Sequence, residues 1–351
     1  MKFSIFLMGT RNGTYSDIVE QVAMADRLDF DAVWLAERYF ANSDLLFPSP
    51  TAVAAYFAAR TKRIRIGFAA RVLPFHHPLH VAADACTLDI LSNGRFDLGL
   101  SRGSMDETPH RAFGVSRQEA REQFEESLAV LRLAFGQKPF SFHGKYYQLD
   151  DITPGPPPVQ SPHPPLYMVA NSPVSLQAAA DNGLPVFING AQLIEDMKES
   201  LHCYRMRSFE AGYNPDDVDL PINRFIFVGE TTASARSIMR EPFMEFLDRR
   251  APDLKRLLLQ RHAQTGLDFE FLAEEVCIFG DADHCVARLR DLMDRVGLRH
   301  ILCSFNMITL DHRQCVESMR RFAMEVIPAL REELPPPTLR PAHLQRHQTL
   351  Q

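Results

Sequence analysis

The chain has 351 residues, more than one average domain but a suitable length for one large α/β barrel. Its 38 basic and 44 acidic residues give a net charge of −6, which argues against the basic face that nucleic acid requires. Hydrophobic residues, at 46%, suffice for a large core, yet no apolar run reaches membrane-spanning length.

In chain order, a strand is expected at residues 3–8, running into Gly9 and Asn12-Gly13. The opening Met1-Lys-Phe-Ser-Ile-Phe-Leu7 is too short for a secretory apolar region. An amphipathic helix follows at 16–28, with Ile18, Val22, Ala25 and Leu28 at helical spacing and Ser16 as its cap. The second strand, 32–36, holds the single tryptophan, Trp34. A helix at 50–60, a strand at 64–69 and a helix at 78–91 lead to Gly94-Arg-Phe-Asp-Leu-Gly-Leu-Ser-Arg-Gly103. There Phe96, Leu98 and Leu100 alternate with Asp97 and Gly99, which predicts a buried strand whose Gly99 admits a close backbone neighbour. A long helix is expected at 116–135, a hairpin turning at Gly144 over 140–149, and a proline-rich connection at 154–165.

Alternation then resumes, with strands at 166–169, 185–188 and 222–228 and helices at 172–181 and 194–211. Residues 231–275 carry helical patterns without a clear strand, and the charged stretch near 248–272 is expected to form a lid. Strands at 276–279 and 300–305 and helices at 282–296 and 313–330 complete the pattern. Residues 1–332 read as one domain and 333–351, with Pro335-Pro-Pro337, as a disordered tail. The six cysteines, Cys86, Cys203, Cys277, Cys285, Cys303 and Cys315, show no Cys-x-x-Cys spacing and read as reduced thiols of a cytoplasmic protein.

So many βα repeats predict a (β/α)8 TIM barrel with insertions rather than a doubly wound sheet, and no Gly-x-Gly-x-x-Gly follows the first strand. Barrel sites lie at the carboxyl ends of the strands, which selects four groups of residues. They are Glu37-Arg38-Tyr39-Phe40, then Arg71 to Pro78 with His76 and His77, then Ser101-Arg102-Gly103, then Asn171-Ser172 with Ser175. A hydroxyl, a guanidinium and a permissive backbone at 101–103 suit a phosphate, since arginine offers a permanently charged planar fork. The alternative is a local ion pair of Arg102 with Asp106 or Glu107. Ser172 and Ser175 start a helix, where anions bind, although Ser172 also suits a plain cap. Arg121, one turn into the long helix, is either a second anion ligand or a solvated charge. No His-Glu-x-x-His occurs, and although His76 and His80 have the His-x-x-x-His spacing and Gly99-Leu-Ser-Arg-Gly103 the Gly-x-Ser-x-Gly spacing, neither a metal site nor a serine hydrolase is expected. The 25 phenylalanines suit a core and also a cavity that excludes water.

The pieces Trp34-Leu-Ala-Glu-Arg-Tyr-Phe40, Val72-Leu-Pro-Phe-His-His-Pro78, Asp89-Ile-Leu-Ser-Asn-Gly-Arg-Phe96, Ser101-Arg-Gly103 and Phe113-Gly114, in this order, resemble the bacterial luciferase-like flavin monooxygenases. The resemblance covers about residues 1–330. It implies a barrel that receives reduced FMN (FMNH2) from a separate flavin reductase. The resemblance also implies that this flavin reacts with O2 to a C4a-hydroperoxide, which oxygenates a small organic substrate. It further implies a homodimer or a heterodimer with a paralogue, for which Val81, Ala82 and Ala85 offer apolar surface. Residue by residue, Arg102 and Arg121 take the places of the phosphate arginines. Asn171, Ser172 and Ser175 take those of the Glu-Ser segment, with the carboxylate lost. Ser101 stands beside the reactive flavin carbon, and Ala69 and Ala70 let the flat ring approach. The family's Glu-His-His-Phe is here Glu37-Arg38-Tyr39-Phe40, and Arg38 cannot replace a titrating histidine because it does not deprotonate. Arg38 is instead expected to stabilise an anion, with His77 as the candidate acid. Two other readings remain at this point: a non-catalytic partner subunit, and a deazaflavin-dependent oxidoreductase on the same fold.

Overall fold

The computed structural model describes residues 1–9, 13–40, 47–103, 106–170, 172–217, 220–250, 255, 256, 259, 268–307 and 309–331. Asn171, most of the expected lid and the expected tail at 333–351 lie outside the described residues. In chain order the strands are β1 (Lys2–Leu7), β2 (Ala32–Leu35), β3 (Arg65–Val72), β4 (Phe96–Ser101), β5 (Phe140–His143) and β6 (Gln148–Ile152). Then follow β7 (Leu166–Val169), β8 (Val186–Phe187), β9 (Pro221–Val228), β10 (Cys277–Gly280) and β11 (His300–Ser304).

Nine strands form a single parallel sheet in the order β10-β9-β11-β1-β2-β3-β4-β7-β8, while β5 and β6 form a separate antiparallel hairpin. A parallel bridge between Ile188 and Ile222 joins the end of β8 back to β9. Eight strands thereby close a ring, and β10 is a ninth strand along the carboxyl half of β9, Phe225–Val228. The expected α/β barrel is present, and all nine expected barrel strands are found. Periodicity alone does not reveal that one of them lies outside the ring.

Strands buried on both faces carry few charges, as in β2 and β9, where every residue is buried. Alternation in β1 still sorts two environments. Phe3, Ile5 and Leu7 belong to the main core beneath the helices, and Phe3 meets Phe322 edge-on at 5.9 Å. Phe6 instead packs on a smaller cluster of Ala32, Trp34, Ala69, Tyr167, Phe187 and Leu302, which fills the barrel. Trp34 fits because β3 opposes it with Gly67, where a Cβ would fall 2.2 Å from the indole. At the amino end of the barrel Arg65 pairs with Asp97 at 2.7 Å and donates to Gln160, tying down the proline-rich connection.

Some boundaries differ from expectation. The first helix is Tyr15–Arg27, capped by Thr14 rather than Ser16, because Thr14 and Asp17 form a reciprocal capping box. The expected long helix begins at Ala120, and a short helix, Glu107–Ala112, precedes it. The last helix is divided by a π turn, Phe322–Val326. Val81, Ala82 and Ala85 are buried inside the subunit, so they do not supply a contact surface. Among the described residues no helix is long and apolar enough to cross a membrane.

Candidate active site

The carboxyl end of β3 is irregular. Its pairing with β4 shifts between Phe68 and Arg71, and the Ala69–Ala70 peptide is cis. Gly99 of β4 makes this possible, since a Cβ there would lie 2.0 Å from the Phe68 carbonyl oxygen. Ala69 and Ala70 are both buried, and Ala69 packs in the cluster of Trp34, with the partly buried Val169 against it.

β4 then delivers Ser101, in register with Val72 of β3, followed by Arg102 and Gly103. Gly103 has φ +102°, and a Cβ there would meet His110 Nε2 at 2.9 Å, so the turn requires glycine. The alternative partners of Arg102 are engaged elsewhere: Glu107 with Arg117 at 3.0 Å, and Asp106 with the Thr108 N–H as a helix cap. Burial pushes the Arg102 pKa down, repulsion from Arg121 adds to this, and Glu125 opposes it. Arg121 is exposed on the first turn of helix Ala120–Phe135. Among the described residues neither guanidinium has a hydrogen bond or ion pair. The two arginines expected at an anion site are therefore brought together.

Ser172 caps helix Pro173–Asp181 in a reciprocal box: its N–H donates to Ser175 Oγ at 2.9 Å, and Ser175 N–H donates back at 3.3 Å. Both readings of Ser172 are thus compatible, since its exposed hydroxyl lies at a helix N-terminus.

A polar cluster at the barrel mouth is centred on Glu37, which the sequence placed after the second strand without a role. Glu37 Oε1 accepts from Tyr39 Oη at 2.7 Å, Arg71 Nη1 at 2.9 Å and His76 Nε2 at 2.9 Å, while Oε2 accepts from Val72 N–H at 2.6 Å. Burial pushes the Glu37 carboxyl up, but the His76 hydrogen bond, the Arg71 charge and the Val72 N–H outweigh it and hold the carboxyl below its usual range. Burial and the Glu37 charge raise the Tyr39 phenol well above its usual value. Arg71 reaches Asp84 at 3.4 Å, and Thr51 Oγ1 donates to the same carboxylate at 2.9 Å. His77 is placed elsewhere. It is exposed, its Nδ1 accepts from Leu79 N–H at 3.3 Å as a helix cap, and its ring packs edge-on against Tyr147 at 5.2 Å. Arg38, half-buried, donates its backbone N–H to Phe47 O at 3.3 Å. Glu37, Arg71 and His76 share one sequence signal, their positions at the carboxyl ends of β2 and β3.

A family model for luciferase-like monooxygenase matches residues 1–300. The chain belongs to this family. Among the relatives of this chain is the oxygenase component of the flavin-dependent trigonelline monooxygenase of Acinetobacter baylyi. It is 27% identical over 249 residues, 69% of each chain. The fold superimposes on the monooxygenase RslO1 from Streptomyces bottropensis with a TM-score of 0.81 and 25% identity, covering 94% of this chain and 100% of that one. It also superimposes on the oxygenating constituent of 3,6-diketocamphane monooxygenase, a type II Baeyer–Villiger monooxygenase from the CAM plasmid of Pseudomonas putida, in complex with FMN. There the TM-score is 0.79 at 19% identity, covering 93% of this chain and 98% of that one.

Proposed function

We propose that this protein is the oxygenase component of a two-component monooxygenase that takes reduced FMN from a separate reductase and uses O2 to oxygenate a small organic substrate. The observation that carries this reading is the Arg102–Arg121 pair, two like charges beside the Gly103 turn with no protein acceptor among the described residues. A phosphate dianion relieves that repulsion and satisfies both forks. The small side chains of Ala69 and Ala70 allow a flat ring of the same molecule to approach, close to Val72 and its strand partner Ser101. Together these residues support a phosphorylated flavin as the ligand.

When bound, reduced FMN supplies the two electrons: substrate, O2 and reduced flavin yield oxygenated substrate, oxidised flavin and water. The chain's own residues bind, orient and shield. Arg102 and Arg121 hold the phosphate, with Ser172 and Ser175 presenting hydroxyls at a helix N-terminus. Arg38 supplies a fixed positive charge at the barrel mouth, where anionic oxygen develops. Phe113 packs on Tyr39 at 4.7 Å and on Phe75 at 5.1 Å and lends this rim an apolar lining.

Anaerobic titration with reduced FMN, followed by mixing with O2 and measurement of oxygen uptake, tests the reading. Saturable binding and oxygen uptake are expected. Binding without oxygen chemistry would favour the non-catalytic subunit, and preference for a reduced deazaflavin over reduced FMN would favour the oxidoreductase.

A further inference from the structure

We propose that the His76 imidazole, oriented by Glu37, gives and takes the proton of the oxygenation, the role that Arg38 cannot fill. The inference rests on the monooxygenase reading above. The Glu37 side chain is fully buried, whereas that of His76 is 17% exposed. Every described contact to the Glu37 carboxylate comes from a donor: a phenol, a guanidinium, a backbone N–H and the His76 ring. An ionised carboxylate only accepts, so Nε2 of His76 must carry the hydrogen. Neutral His76 is thereby fixed in the Nε2–H tautomer, and its basic nitrogen is Nδ1, which has no protein partner among the described residues.

The cluster adjoins the site. Val72, whose N–H donates to Glu37, is in register with Ser101 of β4, next to Arg102. The charged and titratable groups joined to His76 are Glu37 and Tyr39 after β2, Arg71 of β3 and, through Arg71, Asp84 on helix Pro78–Ser92. Arg71 offsets the Glu37 charge, so the ring can accept or release a proton without leaving the carboxylate buried and unpaired. The step is a simple proton transfer. The imidazolium Nδ1–H protonates an oxygen anion to a hydroxyl, leaving neutral imidazole, and a solvent proton, carried by hydronium or buffer acid, restores the imidazolium at Nδ1. His77 next in sequence has its Nδ1 turned to the Leu79 N–H, so only one of the two adjacent histidines is set up this way.

Three measurements test the assignment. Nitrogen NMR of the cofactor-free protein at alkaline pH should show His76 as the Nε2–H tautomer, and Glu37→Gln should convert it to a mixture. His76→Ala should bind reduced FMN within about twofold of wild type yet lose about 100-fold or more in turnover, the range for general acid–base groups. Millimolar imidazole should restore at least about tenfold of that loss by filling the space with the missing base. His76→Asn, which retains an amide donor for Glu37, should lose turnover equally, showing that the loss is not collapse of the cluster. His77→Ala should keep wild-type turnover. An Nδ1–H tautomer, wild-type turnover in His76→Ala, or absence of imidazole rescue would overturn the role of His76. Failure of wild type to bind reduced FMN would instead overturn the monooxygenase reading, and the binding measurement separates the two.

Discussion

Arg102 is half-buried beside Arg121, and both burial and repulsion disfavour its charged form. A bound phosphate reverses this balance, whereas a flavin without phosphate does not. Arg102→Ala is therefore expected to weaken reduced FMN by about 1.5–3 kcal/mol, the scale of a charge-assisted hydrogen bond, and to leave riboflavin nearly unchanged. Equal weakening of both ligands would remove Arg102 from the phosphate site. Glu37 gives a pH signature. Its folded-state carboxyl titrates below the ordinary value of 4.5, so its stabilisation is complete above that pH and fades as the pH falls through the lower folded value. Glu37→Gln should cost about 3–5 kcal/mol at neutral pH, as for a broken buried pair, and the gap to wild type should narrow on acidification below 4.5. Urea unfolding at a series of pH values measures the gap, and a constant gap would show that the proton on Glu37 is not linked to folding. That Arg102 and Arg121 meet was legible because each occupies a defined place after a strand or a Phe-Gly pair. The choice between His76 and His77 was not. Adjacent side chains diverge, and the 3-10 turn Leu73–Phe75 determines which one faces Glu37.

The hairpin β5–β6 braces the helix that carries Arg121. Glu126 on helix Ala120–Phe135 accepts the backbone N–H groups of Lys145, Tyr146 and Tyr147 at 2.9, 2.8 and 2.8 Å. Gly144 leaves room for this grip, since a Cβ there would sit 2.1 Å from Glu126 Oε1. Glu126→Ala strands these donors, although water reaches part of the hairpin, and should cost about 1–3 kcal/mol of stability by thermal or denaturant unfolding. Unchanged stability would mean that the hairpin is held by its apolar contacts, such as Tyr147 on Val130. Gly99 is the corresponding position in the barrel wall. Gly99→Ala drives a Cβ into the Phe68 carbonyl and must displace the Ala69–Ala70 segment, so loss of reduced-FMN affinity is expected even where the variant remains folded. Wild-type affinity in a folded variant would show that this segment does not seat the ring. The strands were legible as short apolar runs because most are buried on both faces, as β2 and β9 are. The helix Glu107–Ala112 was not, because six residues containing Pro109 carry too little periodicity. The grip of Glu126 on the hairpin is a tertiary contact that no local pattern encodes.

The barrel as a whole was readable from the βα repeat, but ring closure through Ile188 and Ile222 depends on a single bridge that sequence does not mark. Subunit association must be argued from different residues than those the sequence suggested. Helices Pro50–Arg60 and Pro78–Ser92 are joined by the Thr51–Asp84 hydrogen bond and leave Tyr56, Ile90 and Leu91 exposed. Large apolar side chains left outward on neighbouring helices suit a dimer face. Sedimentation at micromolar concentration should give a dimer, and Leu91→Lys should shift it toward monomer; a monodisperse wild-type monomer would exclude this face as a dimer contact. Trp34 offers a consequence of another kind. It is the single tryptophan in the chain, buried with Tyr167 and Phe187 at 5.4 and 4.6 Å and in the same cluster as Ala69. All indole emission therefore originates at one apolar point beneath the proposed ring site. A flavin resting on Ala69 absorbs at the wavelengths where that indole emits, so each occupied site is darkened by energy transfer. The protein carries its own optical gauge, and cofactor loading in wild type and in every variant above can be followed by the dimming of one native residue without any label.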